Sequence, residues 1–419
     1  MWGLADCNNF FVSCERSVDS SLKNRAVVVL SNNDGCAIAR SNEAKRLGVK
    51  MGQPAFELRD MIRSGQLLAL SGNHLLYRRI SLQVHDIMRR FVPATLDYSV
   101  DEAFLDVTGV PFDALANIGQ SIVDTCLTEA DIPVTVGFAP TKTLAKVATE
   151  LGKKNDQRVW IMNDTYEINS ALENISVGDI WGIGRRLARR LYDEGIYNAF
   201  QLSKCELTWI RGNFGVNGEK LWRELNGEPC IELNHVGRQL QDSISETRTF
   251  PRDESDFDYI RSRIVIYAAD CARRLRGMQG RCLSVSVMLR TNRFHTEEGY
   301  EAPTATIFFP SPVCDTNVIV DGALAALERI FNPRKRYKRA GVILNDITAA
   351  DTYTPSLFAE QDAEQLIKSK CHPNLMKTID NINREIGVPQ IRLASQLVNG
   401  QPGHNDGYSS SFGAPGRNR

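Results

Sequence analysis

Two acids, Asp101 and Glu102, stand side by side in "YSVDEAFLDV", where one short apolar run gives way to another. Adjacent carboxylates repel, so a chain that keeps them together must neutralise them with something. In a straight strand neighbouring side chains point to opposite faces and cannot share one ion. A chain reversal at the acid pair removes that objection, because both carboxylates then lean toward one point and an acid from an adjacent strand can complete a cage. Asp6, which ends the strand-like run "MWGLAD", is the candidate. Three carboxylates converging from strand ends suit Mg2+, which commonly takes a few carboxylates plus water and substrate phosphates. Two such ions about 3.5 to 4 Å apart would clamp the attacking and leaving oxygens of a phosphoryl transfer. An exposed acidic turn beside an unrelated Asp6 is the plainer reading, and spacing alone leaves both open.

The elements that must position these acids are legible as periodicities. "MWGLAD" and "AVVVL" read as buried strands, and "TLDYSV" and "AFLDV" as two strands joined at Asp101-Glu102. Leu76, Ile80, Val84, Ile87 and Phe91 recur at three- and four-residue steps, which predicts a helix over 74–92 with one core-facing stripe. A further helix through Leu115, Ile118, Ile122 and Cys126 leads to the strand "PVTVGF", and Thr141 is placed to cap the helix containing Leu144, Ala148 and Leu151. This alternation over the first 170 residues indicates an α/β or α+β layer domain. Residues 171–235 read as a small helical unit, 236–247 ("VGRQLQDSISET") as a polar linker, and 248–348 as a third domain. In that domain an arginine-studded helix at 256–276 and an amphipathic helix near 317–331 alternate with the strands "LSVSVMLRT", "ATIFF" and "AGVILNDI". After Thr352 the pattern weakens, and the last twenty residues are Gly, Ser and Asn rich, which predicts disorder.

A chain of 419 residues has room for two to four domains. No stretch approaches the roughly 20 uninterrupted apolar residues of a membrane span, and "MWGLADCNNF" meets an acid at Asp6 without a basic start, so a cytoplasmic protein is expected. The ten cysteines form no C-x-x-C pair, which favours free buried thiols over a zinc site or a disulfide framework. Formal net charge is zero, yet residues 261–293 carry eight arginines against one acid, Asp270, and "PRKRYKR" at 333–339 adds five cations. Such a local excess can act as a phosphate footprint on a neutral chain. In "WGIGRRLARRL", Gly182 and Gly184 precede a helix whose Leu187 and Leu191 can face inward, with Arg185, Arg186, Arg189 and Arg190 on its other faces. A Gly-x-Gly turn opening a helix aims backbone N–H groups at an anion, although an ordinary tight turn has the same spelling.

Four stretches, "ADCNNFFVSCE", "SNNDGCAIARSNEAKRLGVKMG", "YSVDEAFLDVTG" and "VTVGFAPTKTLAKVATELGKK", together resemble the Y-family translesion DNA polymerases, in their UmuC branch, across about residues 1–350. The resemblance implies an α+β multidomain fold. It would be a right hand with a ferredoxin-like palm (1–170), small fingers inserted at about 25–73 and a helix-hairpin-helix thumb (171–235), followed by an α/β little-finger domain (248–348) and a C-terminal extension (349–419). It implies template-directed, error-prone synthesis past lesions in SOS-type damage tolerance, with nucleotidyl transfer from a dNTP to a primer 3′-OH. Asp6, Asp101 and Glu102 would hold two Mg2+ ions, with Mn2+ able to substitute. Phe11 matches the family's steric gate against the ribose 2′-hydroxyl, although a core role is the ordinary one for any Phe in an "NFF" run. Phe10, Ile38, Asn42, Lys45 and Lys153 fall where the incoming nucleotide is contacted, Asn42 standing where several relatives carry tyrosine.

The resemblance also implies that Gly182, Gly184, Arg185, Arg186, Arg273 and Arg290 touch primer-template DNA, each cation having a solvated surface charge as its plain alternative. Leu357 and Phe358 in "TPSLF" keep two apolar anchors of the peptide by which relatives dock on the sliding clamp, without its leading Gln and Leu. A UmuD′-like dimer and RecA are further implied partners, no membrane is, and the site of action would be the nucleoid within the cytoplasm. Two other classes stay open on residues alone. A nucleotidyl cyclase on a similar palm would leave the Gly-x-Gly turn and the basic third domain unexplained; a DNA-holding scaffold without chemistry would leave the three acids unexplained.

Overall fold

The computed structural model describes residues 1–31, 35–232, 240–295, 299–349, 372–386 and 391. They divide into two compact units, one within Met1–Gly237 and one within Arg238–Asn405. The first unit begins with β1 (Trp2–Cys7) and α1 (Phe10–Val18), then makes an excursion through β2 (Val27–Leu30), β3 (Ala37–Arg40), α2 (Asn42–Arg46), α3 (Arg59–Arg63) and β4 (Leu68–Ser71). It returns through α4 (His74–Arg89), the hairpin β5 (Ala94–Asp97) and β6 (Glu102–Asp106), α5 (Leu115–Ala130), β7 (Val134–Ala139), α6 (Lys142–Lys154) and β8 (Val159–Ile161). Four helices follow: α7 (Thr165–Glu173), α8 (Arg185–Asp193), α9 (Ala199–Ser203) and α10 (Leu207–Leu225).

Five strands form the main sheet in the order β5-β6-β1-β7-β8, with β1 antiparallel to both β6 and β7. Strand alternation sorts the side chains onto two faces. Ala5, Ala103, Leu105, Val134, Val136 and Phe138 join a core with the stripes of α4 and α5. Leu4, Phe104 and Ala139 join a second core with Leu144 and Ala148 of α6 and with Leu172, Leu191 and Leu202 of the helices that follow. The excursion carries its own small sheet, ordered β3-β2-β4, over a core that includes Val28, Leu30, Ala44, Leu58 and Leu67.

Local signals account for most boundaries. Helix α4 starts where the Asn73 side chain accepts the Leu76 N–H and stops at Arg89, so the predicted 74–92 helix is a turn shorter and Phe91 packs from beyond its end. The Thr141 hydroxyl accepts the Leu144 N–H and opens α6, as expected. The strand expected through "TLDYSV" ends at Asp97. There Tyr98 and Ser99 both donate backbone N–H to the Glu102 carbonyl, and the Ser99 hydroxyl accepts the N–H groups of Asp101 and Glu102. A serine that offers its own acceptor to nearby amides turns the chain before the ladder can continue.

The second unit is a four-stranded antiparallel sheet, built from β9 (Ser243–Glu254), β10 (Gly280–Thr291), β11 (Thr304–Val313) and β12 (Tyr337–Ala349), ordered β11-β10-β12-β9. Helices α11 (Phe257–Gly277) and α12 (Thr316–Ile330) pack Ile260, Ile264, Leu275, Ile319 and Leu327 against Val285, Val287, Val342 and Leu344. One expectation is corrected here. The polar stretch read as a linker to residue 247 contains the start of β9, whose Ser243 to Thr247 pair with Asn345 to Gly341 of β12. β9 is an edge strand, and in this stretch it buries only Ile244, so its sequence carries little apolar signal. Beyond residue 349, where the apolar pattern weakens, the described residues include the helix α13 (Pro373–Ile386), with Met376 buried. Arg276 of α11 anchors it through two hydrogen bonds to Asp380, at 2.7 and 2.9 Å.

Candidate active site

Asp6 and Glu102 are directly opposed partners on β1 and β6. They share the alternation of Leu4 and Phe104, so both side chains emerge on the face covered by α6. Asp101 sits one residue before the strand, where its backbone carbonyl accepts the Cys7 N–H at 2.9 Å and its carboxylate takes the Ser99 hydroxyl at 2.5 Å. The sheet thus brings Asp6 to Glu102, while the Asp101 carboxylate is engaged within its own turn. Among the described residues no three His, Cys, Asp or Glu side chains stand close enough together to hold a metal ion. The turn end of the hairpin is braced by Asp97, which pairs with Arg89 and faces Nδ1 of buried His85 at 3.4 Å.

Helix α6 supplies the opposing charge. Lys153 Nζ lies 2.6 Å from Asp6, and Lys146 Nζ lies 3.0 and 2.9 Å from the two oxygens of Glu102. Burial pushes the Asp6 carboxyl up to about 7, against the pull of the Lys153 ammonium and with a further upward push from Glu102. The lysines can come so near because β7 has no side chain at Gly137. A Cβ there would lie 2.3 Å from the Thr149 backbone nitrogen, and the Thr149 hydroxyl bonds across to the Leu4 carbonyl at 3.1 Å. The result is a cleft of about 450 Å³ whose lining includes Asp6, Glu102, Lys146, Lys153, Asp179 and Trp181.

None of the remaining nucleotide-site candidates lines this cleft, although Lys45 feels the charges of Lys153 and Asp6. Phe10 is buried in the core, while Phe11 is half-buried, stacked on Tyr77 with ring centres 4.5 Å apart and edge-on to His74. Tyr77 is itself buried, with its hydroxyl donating to Glu15 at 2.7 Å, so the Phe11 ring rests on a fixed backing. Ile38 packs half-buried against the same core. Asn42 opens α2 and accepts from the Asn9 side chain at 3.0 Å. Lys45, on that helix, has its ammonium pKa lowered by burial and then by the neighbouring charges of Arg40 and Lys153. Arg40 belongs to this cationic set, while Lys146 balances Glu102, and neither was among the residues expected from the sequence. The signal for Arg40 was the alternation in "AIAR", which puts it on the face of Ile38; that for Lys146 was its seven-residue spacing from Lys153, two helical turns along one stripe.

Gly182 adopts φ +89, and Gly184 is the N-cap of α8, with no side chain capping the helix. Arg185 and Arg186 are exposed on its first turn. In the second unit Arg273 is exposed beside Asp270 at 3.8 Å, and Arg290 donates to the Tyr300 hydroxyl at 3.2 Å. Leu357 and Phe358 lie outside the described residues. No helix among the described residues is long and apolar enough to cross a membrane, and the described cysteines are all free thiols.

Comparison with known proteins shows the family to which the chain belongs. Residues 5–150 match the model of the impB/mucB/samB family, and residues 241–357 match that family's C-terminal domain. The chain is 36% identical to UmuC of Salmonella typhimurium, over 96% of this chain and 94% of that protein. The chain belongs to the impB/mucB/samB family. It is a DNA polymerase of the Y family, in the UmuC branch, and its activity is error-prone translesion synthesis. ImpB of Salmonella typhimurium is also 36% identical, over 92% of this chain and 90% of that protein. The fold agrees: a Y-family polymerase chimera, Dbh-Dpo4(243-245)-Dbh, superposes with a TM-score of 0.67 at 21% identity, covering 83% of this chain and 99% of that one. Y-family polymerases use divalent metal ions, and an acid pair opposed across two strands suits that chemistry.

Proposed function

We propose that Asp6, Asp101 and Glu102 hold two Mg2+ ions for template-directed nucleotidyl transfer, with Mn2+ able to substitute. The observation that carries the reading is the opposed pair Asp6 and Glu102, half-buried at the mouth of an open cleft and already balanced by two lysines. Burial is the main reason the Asp6 carboxyl is raised to about 7, and a divalent ion at this place would make up for the lost solvation of its charged form. Asp101 joins from the tip, giving up its bond to Ser99. When bound, the ions lower the pKa of the primer 3′-hydroxyl and offset charge on the departing pyrophosphate.

The chain's own residues then have distinct tasks. Lys153, Lys45 and Arg40 form the cationic wall for the triphosphate, with Asn42 offering its side-chain amide. Phe11, backed by Tyr77, blocks the space a 2′-hydroxyl would need; Phe10 supports it from the core, and Ile38 covers the nascent base pair. Gly182, Gly184, Arg185 and Arg186 grip duplex phosphates at the N-terminus of α8, and Arg273 and Arg290 add sequence-independent contacts from the second unit. On this reading residues 1–170 are palm with inserted fingers, 171–235 thumb and 248–348 little finger. Primer-template DNA and dNTP are the substrates, and a UmuD′-like dimer, RecA and the sliding clamp are the partners to test, at the nucleoid.

The deciding experiment is running-start primer extension past an abasic site with Asp101→Asn. Extension is expected to fall at least about a thousandfold while primer-template affinity stays within about threefold. A variant that extends at near wild-type rate refutes the assignment.

A further inference from the structure

Lys146 is enclosed by aromatic rings. Besides both Glu102 oxygens, its ammonium faces the rings of Tyr98 at 4.8 Å, Trp181 at 5.8 Å and Phe104 at 5.9 Å. The rings also hold one another. Trp181 Nε1 donates to the Tyr98 hydroxyl at 2.9 Å, and the Tyr98 and Trp181 rings meet edge to face with centroids 5.6 Å apart. Phe104 packs against both. Three parts of the chain therefore meet on one ammonium: helix α6, the hairpin that bears the acids, and Trp181, the residue immediately before the Gly182-Ile183-Gly184 turn.

A lysine on an open surface swings among rotamers, and its pairing with a carboxylate is worth little. An ammonium confined by aromatic faces has few other places to go, because the rings attract it and fill the space around it. The Lys146 and Glu102 side chains are 18% and 20% exposed, so water competes weakly for the pair. Glu102 can then be held in one orientation by a fixed partner, as the outer-shell neighbours of a metal ligand hold that ligand. Trp181 extends the connection, since movement of the turn ahead of α8 must act on the Tyr98 hydroxyl and on the ring wall around Lys146.

We propose that Lys146 is the positioning residue for Glu102, and that Trp181 latches the turn ahead of α8 to the catalytic hairpin through it. This rests on Glu102 being a working carboxylate, which Glu102→Gln tests separately. The test compares Lys146→Met, Lys146→Arg and Trp181→Ala by single-turnover extension, with primer-template affinity by fluorescence anisotropy and thermal midpoints measured alongside. Lys146→Met keeps the aliphatic stem and removes the charge. Its maximal extension rate is expected to fall about 10- to 100-fold, the usual loss when the partner of a metal ligand is removed, while dNTP and DNA dissociation constants stay within about threefold. Lys146→Arg should recover most of that loss, and Trp181→Ala should lower the same rate as well as weaken DNA binding. If Glu102→Gln is inactive but Lys146→Met extends at wild-type rate, the positioning role is overturned while the catalytic reading stands. If Lys146→Met loses rate and Lys146→Arg loses as much, or if Trp181→Ala changes DNA affinity alone, the proposal also fails. Wild-type extension by Glu102→Gln would instead remove the reading beneath it.

Discussion

Replacing Gly137 by alanine tests whether close packing of α6 on the sheet is what delivers the lysines. The added Cβ would lie 2.3 Å from the Thr149 nitrogen, 2.5 Å from its hydroxyl and 2.8 Å from the Ala145 carbonyl. Two of these are backbone atoms of α6, so the clash cannot be relieved by turning a side chain. The helix must move away by about 1 Å to regain ordinary contact. Overpacking of this kind costs about 1 to 3 kcal/mol, and straining the Thr149 bond to the Leu4 carbonyl adds about 1 kcal/mol. A total near 3 kcal/mol lowers the melting midpoint of a unit this size by about 6 to 12 °C. The functional loss should be larger in proportion, because Lys146 and Lys153 ride on the same helix, and about 1 Å of misplacement can cost a hundredfold in rate. Calorimetry together with single-turnover extension well below the melting point measures both effects. Gly212→Ala is the control, since a Cβ there meets nothing within 4 Å. A Gly137→Ala protein that melts and extends like wild type would refute the claim that this contact sets the position of α6.

Two further outcomes follow from other parts of the molecule. Phe11→Ala should raise ribonucleotide incorporation relative to deoxyribonucleotide by at least about tenfold, since the blocking ring is gone while Tyr77 remains buried behind it; competition assays giving an unchanged rNTP to dNTP ratio would remove Phe11 from that role. Asp380→Ala should cost the second unit about 2 to 4 kcal/mol, because the guanidinium of Arg276, whose side chain is only 13% exposed, loses its charged partner; protease resistance of residues 372–386 equal to wild type would show that the pair does not anchor α13.

Much of the fold was legible because burial and periodicity agree. The stripe from Leu76 to Ile87, the Thr141 cap and the strand "PVTVGF" each announce their element, and each stands where it was read. β9 was not legible, because an edge strand in an antiparallel sheet needs few apolar residues, and Ile244 and Phe250 are the hydrophobic side chains it buries. Helix α13 was hidden for a related reason: a charged pair, Arg276 with Asp380, does part of the anchoring that an apolar stripe would otherwise do. At the site, the approach of Asp6 to Glu102 was inferable from two strands ending in acids. The balancing lysines were harder to find, since a lysine in a helix reads as surface until its neighbours are known. Only the register β1 to β6 and the missing side chain at Gly137 reveal that Lys146 and Lys153 point inward.

On the proposed reading, the site's charge arrangement lets one open cleft accommodate both a metal and a triphosphate. Asp6 and Glu102 are each held by a lysine from one face of one helix, so neither acid stands uncompensated in a partly buried place. The two lysines nonetheless have different surroundings. Lys153 is the more exposed, at 29%, and shares its neighbourhood with Lys45 and Arg40, a cluster whose mutual repulsion favours the arrival of an anion. Lys146 is instead faced by three rings. On the proposed reading Lys153, the more exposed of the two, would be able to leave Asp6 for substrate phosphate, while Lys146 would stay with Glu102. The same residue type at seven-residue spacing thus serves opposite needs, and the difference comes from the aromatic side chains of the hairpin and of Trp181, not from the helix that carries both.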